Sequence, residues 1–331
     1  MIVNNRYYTG KDNYSDGDIE NEIIAYLEKY GEDEYQKIFE QDTRWPVFYH
    51  ITPLRRNIVN WYHFDENAEL LEIGAGMGAV TKCLCEKVKQ VTAIELSRQR
   101  ARAIELRCQD KENLELVIGN FNDIKFAKKY DYITLIGVLE YASLYTNTDN
   151  PFHDFLNRIK KLLKPGGKLL IAIENQFGMK YFCGAPEDHT GRTFDGILGY
   201  ANKQGIRTFG KNELKDILGK SGFSYTKFYY PLPDYKLPNI IFSDEFMPNE
   251  ENIWKYSPYL SSETEAVLFE EQTAYLDIIN NDKFDFFANS FFIEASENVF
   301  KTNINLRNQH LIKIDSVSEQ FYRNHYQVEG K

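Results

Sequence analysis

Leu70-Leu71-Glu72-Ile73-Gly74-Ala75-Gly76-Met77-Gly78-Ala79-Val80-Thr81 is the stretch on which the reading of this chain turns. A short apolar run, Glu69 to Ile73, meets three glycines at alternate positions, and a helical stretch, Gly78 to Glu86, follows at once. Strand, glycine turn and helix in that order let the backbone turn sharply and approach a ligand closely at the carboxyl end of the strand. The spacing is G-x-G-x-G, whereas dinucleotide sites use G-x-G-x-x-G. Glu72 marks a second difference. A carboxylate two residues before the first glycine repels a pyrophosphate but suits an ammonium, such as that of a zwitterionic amino acid.

Outward from this loop, strands and helices alternate. Val91 to Ile94 reads as a second strand and ends on Glu95, 21 residues after Gly74. A carboxylate at that point can accept both hydroxyls of a ribose. Arg98 to Arg107 is helical, and Leu114 to Ile118 and Tyr130 to Ile136 are the third and fourth strands. The helix Phe152 to Leu163 is stopped by Pro165-Gly166-Gly167, and Lys168 to Ile173 is the fifth strand. Lys211 to Ser221 is helical, Phe223 to Tyr230 the sixth strand and the Phe-rich Phe284 to Ala295 the seventh. Such alternation predicts a parallel sheet with helices on both faces. Upstream, Ile19, Ile23, Ile24, Leu27 and Tyr30 recur at helical spacing.

Together, Glu72, the glycine loop and Glu95 resemble the class I S-adenosylmethionine-dependent methyltransferase superfamily. The resemblance covers about Glu69 to Tyr230, with Phe284 to Ala295 as the last strand. It implies an α/β, Rossmann-like, seven-stranded and mostly parallel sheet with helices on both faces, an N-terminal helical cap and insertions after strands 5 and 6. The expected organisation is a cap (1–64) over the cofactor site, a core (65–230) with an irregular active-site insertion (174–210), a substrate-side insertion (231–283), and a last core strand with a hairpin tail (284–331). The cofactor implied is S-adenosylmethionine, leaving as S-adenosylhomocysteine. Gly74, Ala75, Gly76 and Gly78 would line it, with Glu72, Leu96 and Gly137 beside them. Glu95 would take its ribose, and Asn120 and Phe121 its adenine.

A narrower resemblance rests on Ile171-Ala172-Ile173-Glu174-Asn175-Gln176-Phe177-Gly178, on Gly184-Ala185-Pro186-Glu187-Asp188-His189-Thr190-Gly191, and on Trp45 to His50 and Pro231 to Lys236. These are similar to a bacterial subgroup found in cell-surface glycan gene sets; similar enzymes occur beside ribosomally made peptides.

The methyl on a positive sulfur is already activated, so the protein's task is to hold an acceptor in line with it. A carboxylate acceptor is ionised at neutral pH and needs positioning alone, whereas a hydroxyl benefits from a general base. His189, flanked by Asp188, is the candidate base. Glu174, leaving the fifth strand where ligands bind in doubly wound sheets, and Tyr141, after the fourth, complete the catalytic candidates. Tyr49 precedes the core in position to fold over the cofactor, and Arg55 can grip a carboxylate through a bidentate contact. The leading expectation is O-methyl transfer to a peptide C-terminal carboxylate or a glycan hydroxyl. Small-molecule N-methylation, which a buried carboxylate near His189 would favour, and a non-catalytic cofactor-binding docking module are the alternatives.

Composition narrows the partners. A formal net charge of −10 and the lack of a dense basic cluster argue against a general nucleic-acid binder. The polar N-terminus has no signal-peptide pattern and no run reaches the length of a membrane helix, so a cytoplasmic protein is expected. Four cysteines, Cys83, Cys85, Cys108 and Cys183, give no paired metal motif, and no metal is expected.

Overall fold

The computed structural model describes residues 1–12, 14–200, 205–255 and 267–299, and the hairpin expected after Val299 lies outside them. One sheet organises the chain. Its strands are β1 (Ile2–Tyr7), β2 (Glu69–Ile73), β3 (Gln90–Glu95), β4 (Leu114–Gly119), β5 (Tyr130–Ile136), β6 (Leu163–Glu174), β7 (Tyr225–Leu232), β8 (Ile240–Ser243) and β9 (Ser290–Ser296). They lie in the order β1-β4-β3-β2-β5-β6-β9-β7-β8. β1 to β6 pair in parallel, and β9 runs antiparallel to both β6 and β7.

The sheet therefore has nine strands where seven were expected, one extra at each edge. β1 pairs with β4 through Ile2 to Asn4, in a stretch whose Asn4, Asn5 and Arg6 read as polar coil. β8 forms a hairpin partner to β7 inside the segment after Tyr230. The last core strand starts later than the Phe-rich run predicts, because Phe284–Phe287 is a helical turn.

Side chains alternate across the central strands at the period of two that a doubly covered sheet demands. Leu71, Ile73, Ile133, Leu135, Ile171 and Ile173 belong to the core on one face. Leu70, Val91, Ala93, Leu116, Leu170 and Ala172 belong to the core on the other. A third cluster joins the N-terminal helices to this body: Ile23, Ile38, Val47 and Ile51 pack with Met77, Ala103 and Leu237. A buried ion pair reinforces the junction, Arg100 Nε donating to Glu20 Oε1 at 2.7 Å. No helix among the described residues is long and apolar enough to cross a membrane.

From β2 the chain steps outward to β3 and β4, then returns to β2's other side to lay down β5 and β6. The connections at this reversal leave in opposite directions and open a crevice at the carboxyl ends of the strands. The candidate site lies there.

Candidate functional site

A cavity of about 500 Å³ occupies the crevice, within the range of small-molecule sites. Its floor is the glycine loop. The amides of Gly74 and Ala75 both donate to Ile94 O at 2.9 Å, which pins the end of β2 to β3. Gly76 has φ +58°, and a Cβ built on it meets no atom within 4 Å. Backbone can approach a ligand closely at that point. Gly78 serves another end: it does not line the cavity, and its Cβ position lies 3.2 Å from Ile104 Cα, so this glycine lets the helix Arg98–Arg107 pack against the loop.

Two buried carboxylates flank the loop. Glu95 ends β3 and accepts the Gly76 amide at 2.7 Å and the Ser97 amide at 2.8 Å. Burial raises its pKa against these two bonds. A carboxylate has about four lone-pair sites, so capacity for hydroxyl donors remains. Glu72 is buried with Oε2 unpartnered, and burial pushes its pKa up to about 7. An orphaned carboxylate oxygen facing this cavity calls for a donor from a ligand.

Ala75, Leu96, Asn120, Phe121, Gly137, Tyr49 and Arg55 all line the cavity, as the sequence suggests. Their local partners qualify some of the expected roles. Asn120 Oδ1 already caps its own turn by accepting the Asn122 amide. Arg55 lies 4.0 Å over the Tyr49 ring and reaches the Lys236 carbonyl at 3.5 Å.

The end away from the glycine loop is strongly polar. Tyr141, Glu174 and His189 meet there, although 48 residues separate Tyr141 from His189. The Tyr141 hydroxyl lies 3.1 Å from His189 Nδ1, and His189 Nε2 lies 3.6 Å from Glu174 Oε2. The main chain of His189 is fixed separately, since Glu187 Oε2 accepts the amides of His189 and Thr190 at 2.8 Å. Glu174 Oε1 is held by Lys236 Nζ at 2.5 Å and by the Tyr235 hydroxyl at 3.2 Å.

Asp188, expected to orient His189, points elsewhere. It takes Lys180 Nζ at 2.9 Å and the Tyr181 hydroxyl at 2.5 Å, and also pairs with Lys236. Lys180 in turn reaches Asp234 at 3.3 Å. Glu174 and Tyr141 flank the imidazole instead.

Glu140 was not among the candidates, although it precedes Tyr141. It is fully buried and neither carboxylate oxygen has a hydrogen-bond partner. Burial, then the charge of Glu174, push its pKa up to about 8. Burial opposes a charged imidazole at His189, but the nearby Glu174 carboxylate and its charge outweigh it and push His189 up to about 9. Burial also opposes charge on Glu174, and the Lys236 ammonium overcomes it, holding that carboxyl well below the usual range. Lys236 ends the Pro231 to Lys236 run, but nothing local in sequence shows that it folds back onto Glu174.

Residues 71–171 match the family model described as a methyltransferase domain. Among curated proteins, the chain is 38% identical over 67 residues to a ribosomal RNA small subunit methyltransferase A of Fusobacterium nucleatum, a match covering 20% of this chain and 25% of the relative. It is 26% identical over 111 residues to a malonyl-[acyl-carrier protein] O-methyltransferase of Priestia megaterium, covering 33% of this chain and 38% of the relative. The chain thus spans well under half the length of these curated relatives. A solved Thermotoga maritima structure, described as an S-adenosylmethionine-dependent methyltransferase and possible histamine N-methyltransferase, aligns over 83% of this chain and all of its own at 14% identity, with a TM-score of 0.45.

Proposed function

We infer that this chain, whose residues 71–171 form a class I methyltransferase domain with S-adenosylmethionine as cofactor, transfers a methyl group to an acceptor that must shed a proton. A hydroxyl on a polar biosynthetic intermediate, such as a glycan, is the acceptor we favour. The observation that carries this reading is the convergence of buried, titratable atoms without hydrogen-bond partners at the far end of the cavity: both oxygens of Glu140, Oε2 of Glu174 and Nε2 of His189.

The residues present fit the cofactor. Gly76 leaves open space for its close approach, Glu95 keeps lone pairs for ribose hydroxyls, and the orphaned oxygen of Glu72 suits an ammonium donor. When bound, the cofactor supplies a methyl group already activated by positive sulfur.

The chain's own residues then have three tasks. Tyr49, Arg55 and the N-terminal segment wall the cavity against water. The group formed by Glu140, Glu174 and His189 receives the acceptor's O–H donor, and His189, steadied by Tyr141, is the proposed path for its proton. Lys236 and Tyr235 fix Glu174 so that it steadies the ring from the other side. Positioning of this kind can lower a barrier by roughly 7–11 kcal/mol, and a placed base adds roughly 10²–10⁴-fold.

A peptide carboxylate loses support as the acceptor. It would bring a further anion against the buried carboxylates of Glu140 and Glu174. An amine is the second reading, favoured by the unpartnered Glu140 carboxylate beside His189, which would draw in an ammonium.

The test is transfer of a deuterated methyl from S-adenosylmethionine into an extract of the native host, followed by mass spectrometry. Label that resists mild base and lies on oxygen supports the favoured reading, and label on nitrogen supports the second. Base-labile label means an ester and overturns both.

A further inference from the structure

We propose that Glu140, Glu174 and His189 form a divalent-cation subsite at the acceptor end of the cavity, where the ion would hold the acceptor hydroxyl as one of its ligands. The role of the ion toward the acceptor rests on the methyl-transfer reading, whereas binding of the ion does not.

Geometry is the first argument. One ligand atom from each residue lies within 4.8 Å of the other two. His189 Nε2 and Glu174 Oε2 are 3.6 Å apart. Two ligands each about 2.1 Å from a shared ion stand about 3.0–3.4 Å apart, so this pair needs only a small closing movement, and Glu140 would have to move further to join them. These three residues come from the segment after β5, the end of β6 and the loop that follows it, so three separate stretches converge on one point.

The second argument is the state of those atoms. All are buried, and none has a hydrogen-bond partner. Buried polar atoms that face one another without donors are rare in folded proteins. If Nδ1–H of His189 donates to Tyr141, the lone pair of Nε2 is left facing the carboxylates. A hydrogen bond to the far ring nitrogen is how proteins orient a metal-binding imidazole.

Charge supplies the third argument. Glu140, Glu174, Asp188 and Asp234 bring four carboxylates into this buried cluster, and Lys180 and Lys236 bring two ammonium groups. A divalent ion placed between Glu140 and Glu174 would take the place of protons there and offset the repulsion between these two buried carboxylates. Glu187 stands apart, its carboxylate capped by the amides of His189 and Thr190 and the Tyr200 hydroxyl. One imidazole and two carboxylates suit Mn²⁺, Fe²⁺ or Zn²⁺, and three protein ligands leave positions for the acceptor. A hydroxyl bound to such an ion becomes more acidic, and as its oxygen takes the methyl from the sulfonium its proton would pass to the Glu140 oxygen that is not on the ion, in place of His189.

The experiment is titration of metal-stripped protein with Mn²⁺, followed by electron paramagnetic resonance and calorimetry, on wild type, Glu140→Gln and Glu174→Gln. Circular dichroism confirms the fold of each variant, and His189→Gln replaces any that misfolds. The expected result is one Mn²⁺ per chain, bound at least tenfold more weakly in the variants. Binding of Zn²⁺ but not Mn²⁺, weakened in the same variants, supports the subsite with a different ion. Absence of binding by either ion at millimolar concentration overturns it, as does equal affinity in wild type and variants. Label transfer that persists in a chelator, without ion binding, overturns the subsite and leaves methyl transfer standing. Ion binding without label transfer to any fraction does the reverse.

Discussion

The Tyr14 hydroxyl donates to the Tyr141 hydroxyl at 3.3 Å, and the two rings meet edge to face with centroids 5.6 Å apart. This contact ties the segment after β1 to the residue that steadies His189. Anchors lie on either side of Tyr14. Asp12 accepts the Arg98 and Gln99 amides at 2.7 and 3.3 Å, and Asp16 takes Arg100 at 2.7 Å. A strand at the sheet edge thus continues into a strap across the cavity. Tyr14→Phe removes one neutral hydrogen bond, worth about 1 kcal/mol, and should slow methyl transfer about fivefold while leaving the unfolding midpoint nearly unchanged. Rates of label incorporation in wild type and variant check this; an unchanged rate refutes a positioning role for Tyr14.

Gly76 and Gly78 should respond differently to the same substitution. Both have positive φ, so alanine is strained at each. At Gly78 the added methyl also meets Ile104 Cα at 3.2 Å, and Gly78→Ala should destabilise the fold by about 2–3 kcal/mol. At Gly76 the methyl enters open cavity, and Gly76→Ala should cost about 1 kcal/mol of stability but weaken binding of S-adenosylhomocysteine at least tenfold. Urea denaturation and calorimetry on both variants separate the two effects. Equal losses of stability would refute the division of labour between the two glycines.

Glu72 should leave a signature in stability against pH. Its pKa rises from an ordinary 4.5 to about 7 in the folded chain because of burial. Between those values the folded state keeps a proton that the unfolded state has released. Stability therefore falls as pH rises from about 4.5 to about 7, and the group contributes no further change above that. The difference amounts to roughly 3 kcal/mol at most. Other carboxylates titrate in the same window, so the readout is wild type against Glu72→Gln, whose stability should depend less steeply on pH there. Parallel curves for the two proteins would show that Glu72 carries no such shift.

The glycine loop, Glu72 and Glu95 were legible because the cofactor half of the site is local: each residue ends a strand or opens a helix, and the apolar runs between them announce the sheet. β1 was not legible, because Asn4, Asn5 and Arg6 break its apolar pattern and an edge strand needs only one paired side. β8 pairs within a segment that carries no comparable signal. The acceptor half depends on tertiary placement. Glu140 reads as an ordinary residue beside Tyr141, and only the fold shows that it is buried against Glu174. His189 drew notice for its neighbour Asp188, yet the loop turns Asp188 toward Lys180 and Lys236 and brings Glu174 to the ring.

Lys236 shows how strongly that half depends on charge balance. Its ammonium contacts Glu174 and Asp188, and the low exposure of these side chains makes each ion costly unless the others are present. Burial opposes its charge, but Asp188 and Glu174 hold its pKa well above the usual lysine range. Lys236→Met keeps the length of the side chain and removes the charge. Two carboxylates would then be left with less compensation in the interior, and the variant should lose about 3–5 kcal/mol of stability. Glu174 should also lose the interaction that keeps it ionised, so methyl transfer should fall by more than the loss of folded protein explains. Lys236→Arg keeps the charge and should recover part of the stability, limited by the room for a planar guanidinium. Urea denaturation of the three proteins gives the stabilities, and label incorporation per folded molecule gives the rates. If Lys236→Met were as stable as wild type, the ion pairs with Glu174 and Asp188 would not be what holds this end of the cavity together.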